Sequence, residues 1–211
     1  MASSPRADAI RAGYAALAGA YRAQLGDELA GKPLDRAFLT AFVERCAGPI
    51  ADLGCGPGHV THFLAQHAPH VEGIDLSPEM IAEARRAFPA LAFRVADMAA
   101  LPHADASLAG IVAFYAIVHL RSDELAAPLR ECHRVLAPGG LLALAFHAGD
   151  TTVHVDRLFD IATALDFTFH PPEAVIAAVT AAGFTLEARL DRQPYPDVEH
   201  PSQRTYLLAR R

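Results

Sequence analysis

The residues best suited to cradle a ligand lie in one decapeptide, Ala51-Asp52-Leu53-Gly54-Cys55-Gly56-Pro57-Gly58-His59-Val60. Three alternating glycines let the backbone turn sharply and approach a ligand with no Cβ atoms in the way. Ahead of them, Gly48-Pro49 breaks a helical pattern and Ile50 to Leu53 is the short apolar run of a buried strand. Behind them, Val60, Phe63 and Leu64 recur at helical spacing up to about Ala68, and a helix there offers unpaired N–H groups and a positive dipole end. A triphosphate loop would need Gly-Lys-Ser/Thr, and no lysine follows Lys32. A dinucleotide turn wants Gly-x-Gly-x-x-Gly; counted from Gly54 its last place is His59, and from Gly56 it is Thr61.

A second acid, Asp75, follows at the end of the predicted strand Val71–Ile74, where nucleotide-binding α/β folds hold the vicinal hydroxyls of a ribose. His119 is the leading general-base candidate, since an unperturbed histidine titrates near working pH; the other reading is a loop histidine bonded to backbone. Tyr115 and His147 are further catalytic candidates, Tyr115 to position a substrate or equally to close over a ligand's tail, and His147 at the end of a strand. His154 and Asp156 read as a solvated segment. The eleven histidines show no zinc spacing with cysteine and no His-Glu-x-x-His, so no metal is expected, and no Gly-x-Ser-x-Gly is present.

These residues need elements to hold them. Strands at Ile50–Leu53, Val71–Ile74, Leu91–Val95 and Leu108–Phe114 alternate with helices, which predicts a doubly wound, mostly parallel α/β sheet with helices on both faces. Two helices are expected first, one over 6–29 and one from Pro33 to Cys46, with Gly31 between them. Pro138-Gly139-Gly140 should end a helix and turn into a fifth strand, Leu141–Phe146. Residues 148–170 break the alternation and read as an insertion, partly helical around Val155 to Leu165. A helix from Pro171-Pro172 to Ala182, stopped by Gly183, precedes strands Phe184–Leu190 and Tyr206–Ala209, joined by a loop over 192–203.

Asp52-x-Gly54-x-Gly56-x-Gly58, then Asp75, then Asp97, in that order and spacing, resembles the signature of the class I S-adenosylmethionine (SAM) dependent methyltransferases. Glu131 to Gly140, with Arg134-x-Leu136-x-Pro138-Gly139-Gly140, is similar to a second stretch of that family, and the likeness covers roughly residues 35–147. It implies seven strands ending in an antiparallel hairpin, and SAM as cofactor with S-adenosylhomocysteine as product. Asp52, Gly54, Cys55, Gly56, Gly58 and Asp75 would then hold the cofactor. Asp97 and the Met98 N–H would take the adenine edge, with Leu76 and Met80 flanking it, although a plain core role suits Met80 as well, and Phe114, at the end of the fourth strand, would face the cofactor's methyl. The N-terminal helical segment 1–30 would lie across the site as a lid, and 148–170 would cover the substrate. Tyr14 and Tyr21 are candidate contacts there; packing is the other reading for both and the preferred one for Tyr14. The Asn/Asp-Pro-Pro-Tyr/Phe motif of amino-methylating nucleic-acid enzymes is missing, since Ala113-Phe114-Tyr115-Ala116 stands in its place.

The expectation is therefore a single domain over 1–211 that moves a methyl group from SAM to an oxygen or nitrogen of a small molecule. A non-catalytic SAM or S-adenosylhomocysteine sensor is the alternative. Composition agrees: 18 Lys plus Arg against 24 Asp plus Glu give a net charge of −6, which disfavours a nucleic-acid partner. No apolar run suits a membrane span or a signal peptide, and three cysteines without Cys-x-x-Cys spacing point to a cytoplasmic, reduced monomer or homodimer.

Overall fold

Five parallel strands carry the predicted alternation: β1 (Ile50–Leu53), β2 (Val71–Asp75), β3 (Ala92–Val95), β4 (Leu108–Phe114) and β5 (Leu136–His147). The protein is described by a computed structural model over residues 5–211, so the first four residues of the expected lid lie outside the described residues. Strands β8 (Thr185–Arg192) and β9 (Arg204–Arg210) complete a seven-stranded sheet of order β3-β2-β1-β4-β5-β9-β8. β9 runs antiparallel to both neighbours, and its register sets His147 opposite Arg204. Strand order reverses at β1, and the crevice beyond the carboxyl ends of β1 and β4 is where such sheets take ligands.

All four residues of β1 are buried, as a strand covered on both faces must be. Ala51 and Leu53 join Ile111, Leu142 and Leu144 under α6 (Ala126–Val135) and α7 (Pro172–Ala181). Ile50, with Val112 and Ala143, packs on the other face against Leu39 and Phe42 of α3 (Pro33–Val43) and Leu64 of α4 (His59–Ala65). Ser77 caps α5 (Pro78–Ala87) by accepting from the Met80 N–H at 3.2 Å. Among the described residues no helix is long and apolar enough to cross a membrane.

Three expectations are corrected. The single helix over 6–29 is two, α1 (Pro5–Ala15) and α2 (Ala18–Leu25), followed by a short 3-10 turn at Glu28–Gly31. A tight turn between Tyr14 and Leu17 lets Leu17 bury completely, and that burial overrides the continuous periodicity. The fifth strand starts at Leu136, directly after α6, with Pro138-Gly139-Gly140 forming an irregularity inside it. The helix expected around 155–165 is a hairpin of β6 (Thr151–Leu158) and β7 (Ile161–Phe169). Phe159 and Asp160 both take positive φ (52° and 62°), the two-residue turn that matches strand twist, and β-branched Thr151, Thr152, Val153 and Val155 suit the extended form.

Candidate active site

The glycine turn leaves β1 with Gly54, Gly56 and Gly58 all at positive φ (66°, 51° and 86°). Their surroundings separate them. A Cβ on Gly54 would sit 2.5 Å from the Ala116 Cβ, so the turn packs directly on the exit of β4. At Gly58, which begins α4, a Cβ would meet the Phe93 ring at 2.8 Å. At Gly56 it would meet nothing within 4 Å, because that side opens into the main cavity.

This cavity, about 440 Å³, is lined on the turn side by Gly54, Cys55, Gly56 and Asp75. Asp75 accepts the Gly56 N–H on Oδ2 and the Ser77 N–H on Oδ1, both at 2.8 Å, so the acid fixes the turn it faces. Burial raises its pKa, and those N–H groups with that of Leu76 oppose the rise. Leu76, Met80, Asp97 and Met98 line the next stretch of wall, and Asp97 Oδ1 accepts from the Ala99 N–H at 2.8 Å. Tyr21 and Phe114 line it too.

Asp52 and Gly58, expected among the cofactor contacts, lie behind the wall. Asp52 is 1% exposed and accepts from Thr61 Oγ1 at 2.6 Å, tying the end of β1 to α4. Burial pushes its carboxyl up to about 7, against the Thr61 bond and His59. A folded-state pKa raised above the unfolded value near 3.9 gives stability that is full at low pH and declines as pH rises through about 7. Asp52→Asn keeps an oxygen for Thr61 and removes the titration. Between pH 5 and 8 wild type should lose on the order of 3 kcal/mol relative to the variant in urea unfolding. A pH-independent difference would show that Asp52 does not titrate there.

At the far side stand the three catalytic candidates. Tyr115 is held at φ 56°, strained for an aromatic residue, and its N–H bonds the Ala145 carbonyl at 2.7 Å. Its hydroxyl lies 3.0 Å from the Tyr206 hydroxyl and donates to Asp35 Oδ1 at 3.4 Å. His147 stacks on Phe169 and shares a 2.7 Å hydrogen bond with Ser202 Oγ through Nδ1. Burial, helped by Arg204, His200 and Lys32, drives its pKa down to about 3, so the imidazole is neutral.

His119 does not present a free nitrogen. Nδ1 faces the Asp166 carbonyl at 2.8 Å and must donate to it, which leaves Nε2 to accept from the Tyr14 hydroxyl at 2.7 Å. Burial lowers its pKa to about 4. Tyr14, read from sequence chiefly as packing, therefore lines the cavity together with His119 and occupies its Nε2. Sequence reasoning missed a group of charged lining residues as well. Glu28 accepts from Lys32 Nζ at 2.5 Å and lies 2.9 Å from His59 Nε2; its pKa, raised by burial, is brought down to about 2 by these partners. Glu199, His200 and Arg204 reach the cavity from the segment expected to be a plain connecting loop and from the start of β9. No local pattern marks them, because the insertion of β9 between β5 and β8 is what brings them in.

The comparisons with known proteins agree with this geometry. The chain superposes on the Burkholderia thailandensis 1,6-didemethyltoxoflavin-N1-methyltransferase, solved with 1,6-didemethyltoxoflavin and S-adenosylhomocysteine, with a TM-score of 0.75 at 21% identity, over 100% of this chain and 92% of that one. The fold is thus that of the class I methyltransferases. Residues 50–140, the stretch that carries the glycine turn, Asp75 and Asp97, match the model of a methyltransferase domain family. It is 42% identical over 100 residues to trans-aconitate 2-methyltransferase of Methylobacterium nodulans, covering 45% of this chain and 36% of that protein. It is 33% identical over 128 residues to malonyl-[acyl-carrier protein] O-methyltransferase of Enterobacter lignolyticus, covering 61% of this chain and 50% of that protein. The chain thus spans half or less of the length of these two relatives.

SAM, the cofactor of this family, fits the residues present. The open face of Gly56 is a cradle that a Cβ would fill, and Asp75 stands beside it to accept from a ribose diol. Asp97 and Met98 line the wall beyond for an adenine edge.

Proposed function

We propose that this protein transfers the methyl group of SAM to an oxygen or nitrogen of a small molecule. One observation carries the proposal: the cavity that begins at the glycine turn continues past Phe114 and Tyr115 to His147 and Arg204, which leaves a second compartment for an acceptor. A volume of about 440 Å³ lies in the range of small-ligand sites. The names of two relatives support a small acceptor, trans-aconitate and 1,6-didemethyltoxoflavin, and a third names a malonyl group carried on acyl-carrier protein.

SAM supplies an activated methyl on a sulfonium, so the protein has to orient, exclude water and, for a protonated nucleophile, take up a proton. The helices α1 and α2 and the hairpin β6–β7 serve as covers. Thr163 of the hairpin donates to the Gly13 carbonyl at 3.2 Å, and Arg6 Nε donates to the His119 carbonyl at 2.7 Å, which joins the covers to the segment after β4. Tyr14 is the group that meets the acceptor's proton: its oxygen accepts from the nucleophile while its own proton lies on the His119 Nε2 bond. His119 acts through Tyr14, held in the right tautomer by the Asp166 carbonyl.

The test is calorimetric titration with SAM, S-adenosylhomocysteine and NAD, followed by label transfer from methyl-labelled SAM to a panel of hydroxyl, amine and carboxylate acceptors. Binding of the two sulfur nucleosides alone, with transfer to a member of the panel, is expected. Tyr14→Phe should then slow transfer to a hydroxyl by about 10²-fold while leaving S-adenosylhomocysteine affinity within about twofold. Binding without transfer to any acceptor would favour a non-catalytic sensor, and binding of NAD alone would overturn the cofactor.

A further inference from the structure

The far wall of the cavity carries a cationic donor that the described residues do not satisfy. Arg204 is 2% exposed and lines the cavity, and its Nε is buried with no hydrogen-bond partner among the described residues. Its Nη1 is committed to Ser202, bonding the carbonyl and, at 2.7 Å, Oγ. Among the described residues the one carboxylate within 4 Å of Arg204 is Glu199, whose Oε1 lies 3.8 Å from Arg204 Nε and 3.4 Å from Lys32 Nζ.

Glu199 is spent elsewhere. Arg192 donates to both of its oxygens, at 2.6 and 2.8 Å, and the Tyr195 N–H adds a third bond at 2.9 Å. Lys32 directs its hydrogen bond to Glu28. His147 and His200 line the same wall, and an imidazole carries no negative charge, so neither supplies a counter-charge. A buried guanidinium N–H without an acceptor is costly unless something that enters the cavity supplies one.

We infer that Arg204, with Lys32 beside it, is a subsite for a carboxylate of the methyl acceptor, so that the substrate is a small carboxylic acid held at this end while its nucleophile points back toward the turn. The guanidinium fork suits a carboxylate, and Lys32 adds a point charge. The cofactor carries a carboxylate too, but position argues against it. Arg204 begins β9, three strands from β1 and its glycine turn, a separation of about 14 Å at the spacing of neighbouring strands. This inference rests on the methyl-transfer reading above.

The experiment loads the full chain with S-adenosylhomocysteine and titrates it with malonate, glutarate and tricarballylate, using malonamide as the uncharged match. At least one carboxylate should bind on top of S-adenosylhomocysteine, malonamide should not, and Arg204→Gln should weaken the carboxylate by about tenfold or more with S-adenosylhomocysteine affinity unchanged. Lys32→Gln, expected to weaken it by about fivefold, decides the matter if the Arg204 variant does not fold. Competition between carboxylate and S-adenosylhomocysteine would assign the subsite to the cofactor's own tail and overturn the inference. So would equal binding to wild type and both variants, or no carboxylate binding at all. Failure of S-adenosylhomocysteine to bind strikes the methyl-transfer reading instead, and the same carboxylates titrated into unloaded protein still decide the subsite.

Discussion

Gly56→Val should give no detectable heat with S-adenosylhomocysteine, in a protein that still unfolds cooperatively. At φ 51° a side chain costs about 1–2 kcal/mol, more for a β-branched one, which a domain of this size tolerates. Among the described residues no atom beyond the chain neighbours lies within 4 Å of the new Cβ, so the valine fills the ligand's space instead of clashing with the fold. Gly54→Ala is the contrast: its Cβ would strike the Ala116 Cβ at 2.5 Å, and the loss should appear in stability first. Asp75→Ala removes the ribose acceptor together with the anchors of Gly56 and Ser77, and a fall in affinity of at least about a hundredfold is expected, at roughly 1.5–3 kcal/mol for each charge-assisted bond. Unchanged affinity in either Gly56→Val or Asp75→Ala would remove the cofactor from this turn.

Why the turn was legible in sequence and the far wall was not follows from how each is built. Gly54, Gly56 and Gly58 act within one short segment, and the conformations they need are written in their own residue type. Asp75 follows at the end of the next strand, a separation fixed by one strand–helix–strand unit. Tyr14, His119 and Asp166, by contrast, meet from a helix, a segment after β4 and a hairpin strand more than a hundred residues apart in all. Nothing local in Tyr14 separates a hydroxyl bonded to a histidine from one that packs. The hairpin itself was misread because its turn uses Phe159-Asp160, without the glycine that signals a two-residue loop. Asp52 was misplaced for another reason. The acid of the motif is adjacent to the turn in sequence, but the alternation of a strand turns it into the core, where Thr61 receives it.

Arg192→Met should cost about 3–5 kcal/mol at neutral pH, a large share of a stability of about 5–15 kcal/mol. Arg192 joins Asp35 at 2.8 Å to Glu199, and both carboxylates have almost no side-chain exposure, so removing the guanidinium takes from each buried carboxylate its nearest cationic partner. Methionine keeps part of the packing that the guanidinium makes over the Tyr195 ring, which directs the loss to electrostatics. The sign with pH separates the two causes. In wild type, burial raises the Glu199 pKa, but Arg192, the Tyr195 N–H, Arg204 and Lys32 outweigh it and hold it near 2, so its stabilising contribution is full above the unfolded value and is lost as pH falls toward 2. Without Arg192 the folded pKa rises, ionisation becomes a burden, and protonation relieves it. The deficit measured by urea unfolding should therefore be largest near pH 7.5 and shrink below about pH 5. A deficit equal at both pH values would mean lost packing. The same variant tests whether the two ends of the cavity are independent. Asp35 holds the Tyr115 hydroxyl and Glu199 lies between Lys32 and Arg204, so the acceptor wall loosens with Arg192, whereas the turn held by Asp75 shares none of these bonds. S-adenosylhomocysteine affinity should stay within about twofold of wild type while carboxylate binding falls, because the charges that organise the far wall come from α3, the end of β8, the loop after it and the start of β9, and not from β1 and β2, which carry the glycine turn and Asp75.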